Sequence, residues 1–294
     1  MLKFKLLYIK ATAVKTILYA TDFSDNSISA LKYAYALSSK TNSNLWVIHI
    51  FNHAILSADL RDPYLLPKEE SIKQKNAKLK DFCIKHLGSD YNSLNIKVEA
   101  LENNNIVDGI ISKAEKSHTS MIVVGMKGES TFVDFMLGST TTQLIEKAPY
   151  PTIAVPANIS LNELLKTVVY ATDFEEEDIR AISKLVEIVT PFNSTIHITH
   201  ISTKKEYEGY QQMEWFKELL LTKIDYKNLE YYIFFEEDIY NSLCRYSNEV
   251  QADLIVMLER KKKGLFENIF HQDLVEKIKN HTAIPLMSFN EINY

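Results

Sequence analysis

Residues Met121–Pro156 read MIVVGMKGESTFVDFMLGSTTTQLIEKAPYPTIAVP, and their order decides the fold. Met121-Ile122-Val123-Val124 is an apolar run of β type that ends at Gly125. Gly128 follows, then nine residues, then Gly138-Ser139-Thr140-Thr141. From Thr140 the pattern is helical until Pro149 and Pro151 stop it, and Thr152-Ile153-Ala154-Val155 is a second short β run. Strand, glycine-bearing loop, helix start and strand is the order in which a parallel α/β fold builds a phosphate cradle. Glycines let backbone N–H groups approach the anion, and a helix N-terminus faces it. No GK[ST] follows the glycines, so this is not a Walker A loop, and their spacing is too wide for a GxGxxG fingerprint. The SGGxDS loop of ATP pyrophosphatases occurs nowhere in the chain.

Outward from this stretch the chain repeats itself. Tyr19-Ala20-Thr21-Asp22-Phe23 returns as Tyr170-Ala171-Thr172-Asp173-Phe174, an offset of 151. The same offset carries Leu45–Ile50 onto Ile196–Ile201. Ser120–Val124 matches Asp253–Met257 at an offset of 133, so the second copy is shorter between its second and fourth strands. Two copies of one α/β unit, each of about 130–150 residues, account for the whole chain.

Each copy alternates short β-branched runs with longer helical patterns, which predicts parallel strands joined by right-handed crossovers. The first copy is expected to have strands at 16–20, 45–51, 96–100, 121–124 and 152–155. Helices are expected after Ser24 or Asp25, either of which could cap the first, then over 68–86, over 106–115 and from Thr140. The second copy has strands at 168–171, 195–201, 231–235, 254–258 and 285–289. Its helices are expected over 178–189, 206–223, 239–248 and 274–280. Residues 157–166 form a short linker, and residues 1–13 read as an extension ahead of the first strand. The expectation is therefore an α/β protein of two tandem doubly wound, Rossmann-like, parallel five-stranded sheets with helices on both faces. Its domains would span 1–157 and 166–294.

Composition narrows the function classes. The chain has 294 residues, 46% of them hydrophobic and 24% charged, as in an ordinary soluble protein. No window approaches the about 18 apolar residues of a membrane span, and Lys3, Lys5 and Lys10 interrupt the apolar N-terminus, so no signal-peptide core is present. The net charge of −5 is unevenly placed, with a mildly basic first half and an acidic second half. Neither half has the clustered basic surface of a nucleic-acid binder, and the one basic run, Arg260–Lys263, reads as a solvated loop. Cys83 and Cys244 have neither metal nor disulfide spacing, which suits a cytoplasmic protein. His49 and His200 share a repeat position on apolar strands and read as interior groups rather than metal ligands. The aromatic residues of the second copy (Trp215, Phe216, Tyr231, Tyr232, Phe234, Phe235) read as core or interface.

The loop resembles the nucleotide loop of the universal stress protein family, Gly-x2-Gly-x9-Gly-[Ser/Thr], which Gly125, Gly128, Gly138 and Ser139 satisfy without a gap. The layout over residues 14–290 resembles the tandem form of that family. The resemblance implies that Ala20, Thr21 and Asp22 flank the base and ribose and that the backbone of Ile50 meets adenine. It implies further that Val124, Gly125, Met126, Lys127 and Gly128, with Gly138, Ser139, Thr140 and Thr141, hold the ribose and phosphates. Asp22 could equally cap the following helix, and Ser139 could merely cap its own. The implied ligand is ATP, with AMP or ADP as related choices, and Mg²⁺ could accompany the phosphates. Single-domain members pair through their last strands, so Thr152–Val155 and Pro285–Phe289 are expected to pair within this chain as a pseudo-dimer; further association of two chains is left open.

The second copy lacks the loop. At the 133 offset Gly125 becomes Leu258, Gly128 becomes Lys261 and Gly138-Ser139 becomes His271-Gln272. Bulky residues there would block close backbone approach and the freedom to reach positive φ, so one site is expected, in the first half. The role implied is regulatory or protective under stress. No catalytic constellation is visible; slow ATP hydrolysis stays open with no residue named for it. The alternatives are an interaction module without nucleotide, whose protein partner the sequence does not name, and an adenylating enzyme on a related fold.

Overall fold

A computed structural model describes residues 15–52, 67–128, 135–136, 138–159, 161, 164–202, 208–259 and 284–291. The expectations for residues 1–13, the basic run 260–263, His271-Gln272 and the helix over 274–280 lie outside the described residues. The first half runs β1 (Thr16–Ala20), α1 (Asp25–Thr41), β2 (Asn44–Phe51), α2 (Lys68–Leu87), β3 (Ile96–Glu102), α3 (Ile106–Lys116) and β4 (Thr119–Gly125). It continues with β5 (Lys127–Gly128), β6 (Phe135–Met136), α4 (Ser139–Lys147) and β7 (Thr152–Val155). The second half runs β8 (Thr167–Ala171), α5 (Glu176–Val189), β9 (Thr195–Ser202), α6 (Glu208–Lys223) and β10 (Leu229–Phe235). It ends with α7 (Ile239–Glu249), β11 (Leu254–Glu259) and β12 (Leu286–Asn290).

The sheet order is β10-β9-β8-β11-β12-β7-β4-β1-β2-β3. The two groups of five strands thus run on as one ten-stranded sheet rather than standing as separate sheets. Within each group neighbours are parallel; the join is the antiparallel pair β7–β12, with Leu286 opposite Ala154, Met287 opposite Ile153 and Ser288 opposite Thr152. Two short apolar strands with unpaired edges would invite foreign strands, and here each covers the other.

The repeat extends to register and backbone conformation. Leu18 pairs with Ile122 as Val169 pairs with Ile255. Phe23 and Phe174 both take positive φ (67° and 61°), as do Asn42 and Asn193 (50° and 53°) and His118 and Gln251 (50° and 51°). Such backbone is uncommon for non-glycine residues, so its recurrence at both offsets marks one architecture used twice.

Helices cover both faces. Alternate strand residues Ile17, Tyr19, Val47, Met121 and Val123 meet Ala30, Leu31, Ala34 and Leu37 of α1 with Leu79 and Cys83 of α2. That core is continuous with Ile182 and Leu185 of α5 and Phe216 and Leu220 of α6 in the second half. On the opposite face Leu18, Ile48, Ile50, Ile122 and Val124 meet Val107, Ile110 and Ala114 of α3 and Leu144 of α4. Among the described residues no helix is long and apolar enough to cross a membrane.

The site-facing helices begin in different ways. Asn105 accepts from the amides of Val107 and Asp108 and starts α3. Ser24 is the N-cap residue of α1 but makes no side-chain capping bond. Instead Asp22 Oδ1 accepts from the Ser24 amide at 2.9 Å and its hydroxyl at 2.6 Å. The N-cap of α4 is Gly138, again with no side-chain cap, so Ser139 is the first helical residue and not the cap.

Candidate functional site

The order of the first-half strands reverses at β1, with β2 and β3 laid down on one side and β4 and β7 on the other. Ligands of open α/β sheets sit at such a switch point, outside the carboxyl ends of the strands. A cavity of about 590 Å³ opens there, within the range of about 300–1,000 Å³ usual for small-molecule sites.

The cavity gathers Ala20, Thr21 and Asp22 from the end of β1, Ile50 from β2, and Val124, Gly125 and Met126 from the end of β4. Gly138, Ser139, Thr140 and Thr141 at the start of α4 complete the residues expected from sequence. The two others, Lys127 and Gly128, form β5 just beyond, opposite Met136 and Phe135. Sequence reasoning missed Ser24, Asn26 and Ser27 at the start of α1, and Ile106 and Ile110 on α3. The signal was present: both helices begin directly after a strand ends, which places their first turns at the ligand end of the sheet. Ile106 is also an apolar residue left 47% exposed.

Neither Gly125 nor Gly138 takes a left-handed φ; Gly138 sits at −67°. A Cβ on Gly125 would lie 3.1 Å from the Asn26 carbonyl oxygen and 3.3 Å from the Ser27 Cα. Gly125 therefore lets the first turn of α1 close onto the end of β4. Met126 is an anchor, its amide donating to the Val155 carbonyl at 2.8 Å and its side chain buried with Ile145 and Ala154. Thr141 Oγ1 donates back to the Gly125 carbonyl at 3.2 Å, tying α4 to the strand.

What remains open to the cavity is the N-terminus of α4. Its first turn carries no acidic residue and no side-chain cap, and the first four N–H groups of any helix lack intrahelical acceptors. The end of the helix dipole adds a partial positive charge. Ile50, Val124, Ile106 and Ile110 supply apolar wall to the same cavity.

A hydroxyl network fixes the β1–α1 turn. Thr21 Oγ1 donates to Ser27 Oγ at 2.9 Å and accepts from the Phe23 amide at 3.0 Å. Ser27 Oγ donates to the Ser24 carbonyl at 2.6 Å, and the buried Tyr19 hydroxyl donates to the Ser27 carbonyl at 2.5 Å. Burial drives the Tyr19 phenol well above its ordinary range. His49 lines the cavity as well, with Nδ1–H donating to the Thr21 carbonyl at 2.8 Å and its ring 4.5 Å from Phe23. Burial lowers its pKa, the Thr21 carbonyl opposes this, Lys75 and Lys78 lower it further and Asp22 raises it. The imidazole is thus held in one neutral tautomer with Nε2 as an acceptor. Among the described residues no group of three or more His, Cys, Asp or Glu is placed to hold a metal ion.

Residues 13–156 match the universal stress protein family. A universal stress protein from Archaeoglobus fulgidus is similar in structure with a TM-score of 0.69 at 18% identity, covering 95% of this chain and 100% of that one. A protein of unknown function from Pseudomonas aeruginosa PAO1 gives 0.62 at 14% identity over 95% and 93% of the two chains. A putative universal stress protein from Pseudomonas aeruginosa UCBPP-PA14 gives 0.59 at 14% over 95% and 94%. At these identities the likeness is one of fold, and it spans both halves. No curated protein matches the chain. Through residues 13–156 the chain belongs to the universal stress protein family.

Proposed function

We propose that the chain binds ATP, or the related ADP or AMP, at one site in a first domain of residues 1–157, and that it acts as a stress-response regulator rather than a catalyst. The carrying observation is the cavity at the ends of β1, β2 and β4 with the uncapped start of α4 opening on it. The adenine ring lies against Ile50, Val124, Ile106 and Ile110, where an apolar wall meets the exposed backbone end of β2. Asp22 takes ribose hydroxyls through the carboxylate oxygen not engaged by Ser24. The phosphates lie at Gly138–Thr141, with Lys127 and Gly128 reaching them from β5. Asp22 is the single carboxylate among the described wall residues, so Mg²⁺ would be held by phosphates and water more than by protein, as is usual for this ion.

The second domain, residues 166–294, carries no nucleotide of its own. In β11 the buried Leu258 stands at the repeat position where β4 ends with Gly125. Cys83 and Cys244 are buried and unpaired, which suits a reducing compartment such as the cytoplasm. The test is to purify the protein, identify any co-eluting nucleotide and titrate it with ATP, then repeat with Gly138→Val. An adenine nucleotide retained by the native chain and lost by the variant supports this reading. No retained nucleotide together with no affinity for added ATP would sink it.

A further inference from the structure

The two halves share the strand–helix turn after their first strands, and one position in that turn changes its chemistry. Ser27 in the first half corresponds to Asp178 in the second, at the offset of 151. Asp178 is 1% exposed. Its Oδ1 accepts from the Tyr170 hydroxyl at 2.8 Å, and its Oδ2 from the Thr172 hydroxyl at 2.9 Å and from the amides of Asp173 and Glu175 at 3.3 Å. Glu175 returns the bond in a reciprocal capping box that closes the start of α5. One carboxylate thus satisfies the hydroxyls and amides of the whole turn from inside.

Ser27 has a shorter reach. Its hydroxyl serves Thr21 and the Ser24 carbonyl, and the Asp22 amide, equivalent to that of Asp173, donates to no group among the described residues. The neighbouring strand makes this difference possible. Where β4 ends in glycine, the first turn of α1 comes within 3.1 Å of the missing Cβ, and the Tyr19 hydroxyl reaches helix backbone directly. Where β11 carries Leu258 at the equivalent position, Tyr170 reaches a carboxylate side chain instead. Glycine with serine makes an open turn; leucine with aspartate makes a filled one.

We infer that residue 27 sets whether a half of this molecule accepts an anionic ligand, serine leaving the turn open beside the cavity and aspartate filling it with a built-in anion. This rests on the nucleotide reading of the cavity and goes beyond it, since it names the position that separates a binding half from a silent one. A carboxylate at 27 would occupy the turn's donors and place a buried negative charge beside the cavity that also takes the ligand's phosphates, where like charges repel strongly.

The test uses the full chain and two probes, ATP and uncharged adenosine, titrated into the native protein, Ser27→Asp and Ser27→Ala. Amide exchange at Asp22 is followed in parallel. Ser27→Asp is expected to slow exchange of the Asp22 amide and to weaken ATP by roughly 10-fold or more, with a smaller loss for adenosine and a smaller ATP loss in Ser27→Ala. If Ser27→Asp does not fold, the double variant Gly125→Leu/Ser27→Asp, which copies the second half, is compared with Gly125→Leu alone, and the difference between them is read in the same way. An aspartate variant that binds ATP as the native chain does, or that loses ATP and adenosine equally, overturns the inference while leaving the site standing. A native chain that binds neither probe overturns the nucleotide reading itself, and the inference with it.

Discussion

Gly125 was expected from sequence to let backbone approach a ligand, and in the fold the group that approaches it is the first turn of α1. The glycine's place after an apolar run marks a loop glycine in the sequence, but the sequence is silent on what approaches it, because the approaching group, the Asn26 carbonyl, lies about 100 residues away in a different element. Gly125→Val is therefore expected to destabilise the fold by about 1–3 kcal/mol, as overpacking does, besides weakening nucleotide; urea unfolding without ligand reads the first effect separately. His49 was legible as an interior histidine, while its place in the cavity wall was not, since a strand pattern gives faces and not distances. Burial lowers both His49 and His200 from 6.5, so the neutral forms belong to the fold. The contribution of each to stability is complete above pH 6.5 and is lost as pH falls through its folded pKa. An NMR titration should place both ring transitions below pH 6.5, and a midpoint above that value for either would contradict the burial.

Element by element, the alternation of β-branched runs with helical periods located the strands and helices to within a few residues, because parallel strands buried on both faces read as unbroken apolar runs. The starts of α1 and α4 were harder, since short polar residues near a helix start look alike whether or not they cap it. The element that bears most on the site is α4, and the second half supports it. Asn290 on β12 donates through Nδ2 to the Glu146 carbonyl at 2.6 Å in the last turn of α4, and Ile145 of α4 packs with Met257 and Leu286. Asn290→Ala is expected to cost about 1 kcal/mol of stability and to weaken nucleotide through a looser α4, although residue 290 lies in the other half. Next to Asn290 in register, Glu259 has its pKa pushed up to about 7 by burial and by Glu146. The folded chain then holds this proton more tightly than the unfolded chain, so the group costs stability above pH 7 and the cost disappears as pH falls toward 4.5. Glu259→Gln should be more stable than the native chain at pH 8 and equal to it near pH 4; a gain that does not depend on pH would contradict that assignment.

For the whole molecule, duplication was the most legible feature, because two offsets recur in motif, register and backbone conformation alike. The meaning of Asp178 was not legible, since an acid in the first turn of a helix usually reads as a solvated dipole partner and only the folded chain shows it buried. The continuous sheet and the core shared by α1 and α5 predict that the halves unfold together. The two tryptophans make this testable, Trp46 reporting on the first half and Trp215 on the second. Single-tryptophan variants should give coincident urea transitions, and separated midpoints would mean that the β7–β12 seam does not couple the halves. The central claim is that one open turn and one open helix start make a single nucleotide site in a two-fold repeated chain. Its most direct test is the stoichiometry of ATP binding to the full-length protein by calorimetry. The expected result is one ATP per chain, lost in Gly138→Val; two per chain, or none, would contradict it.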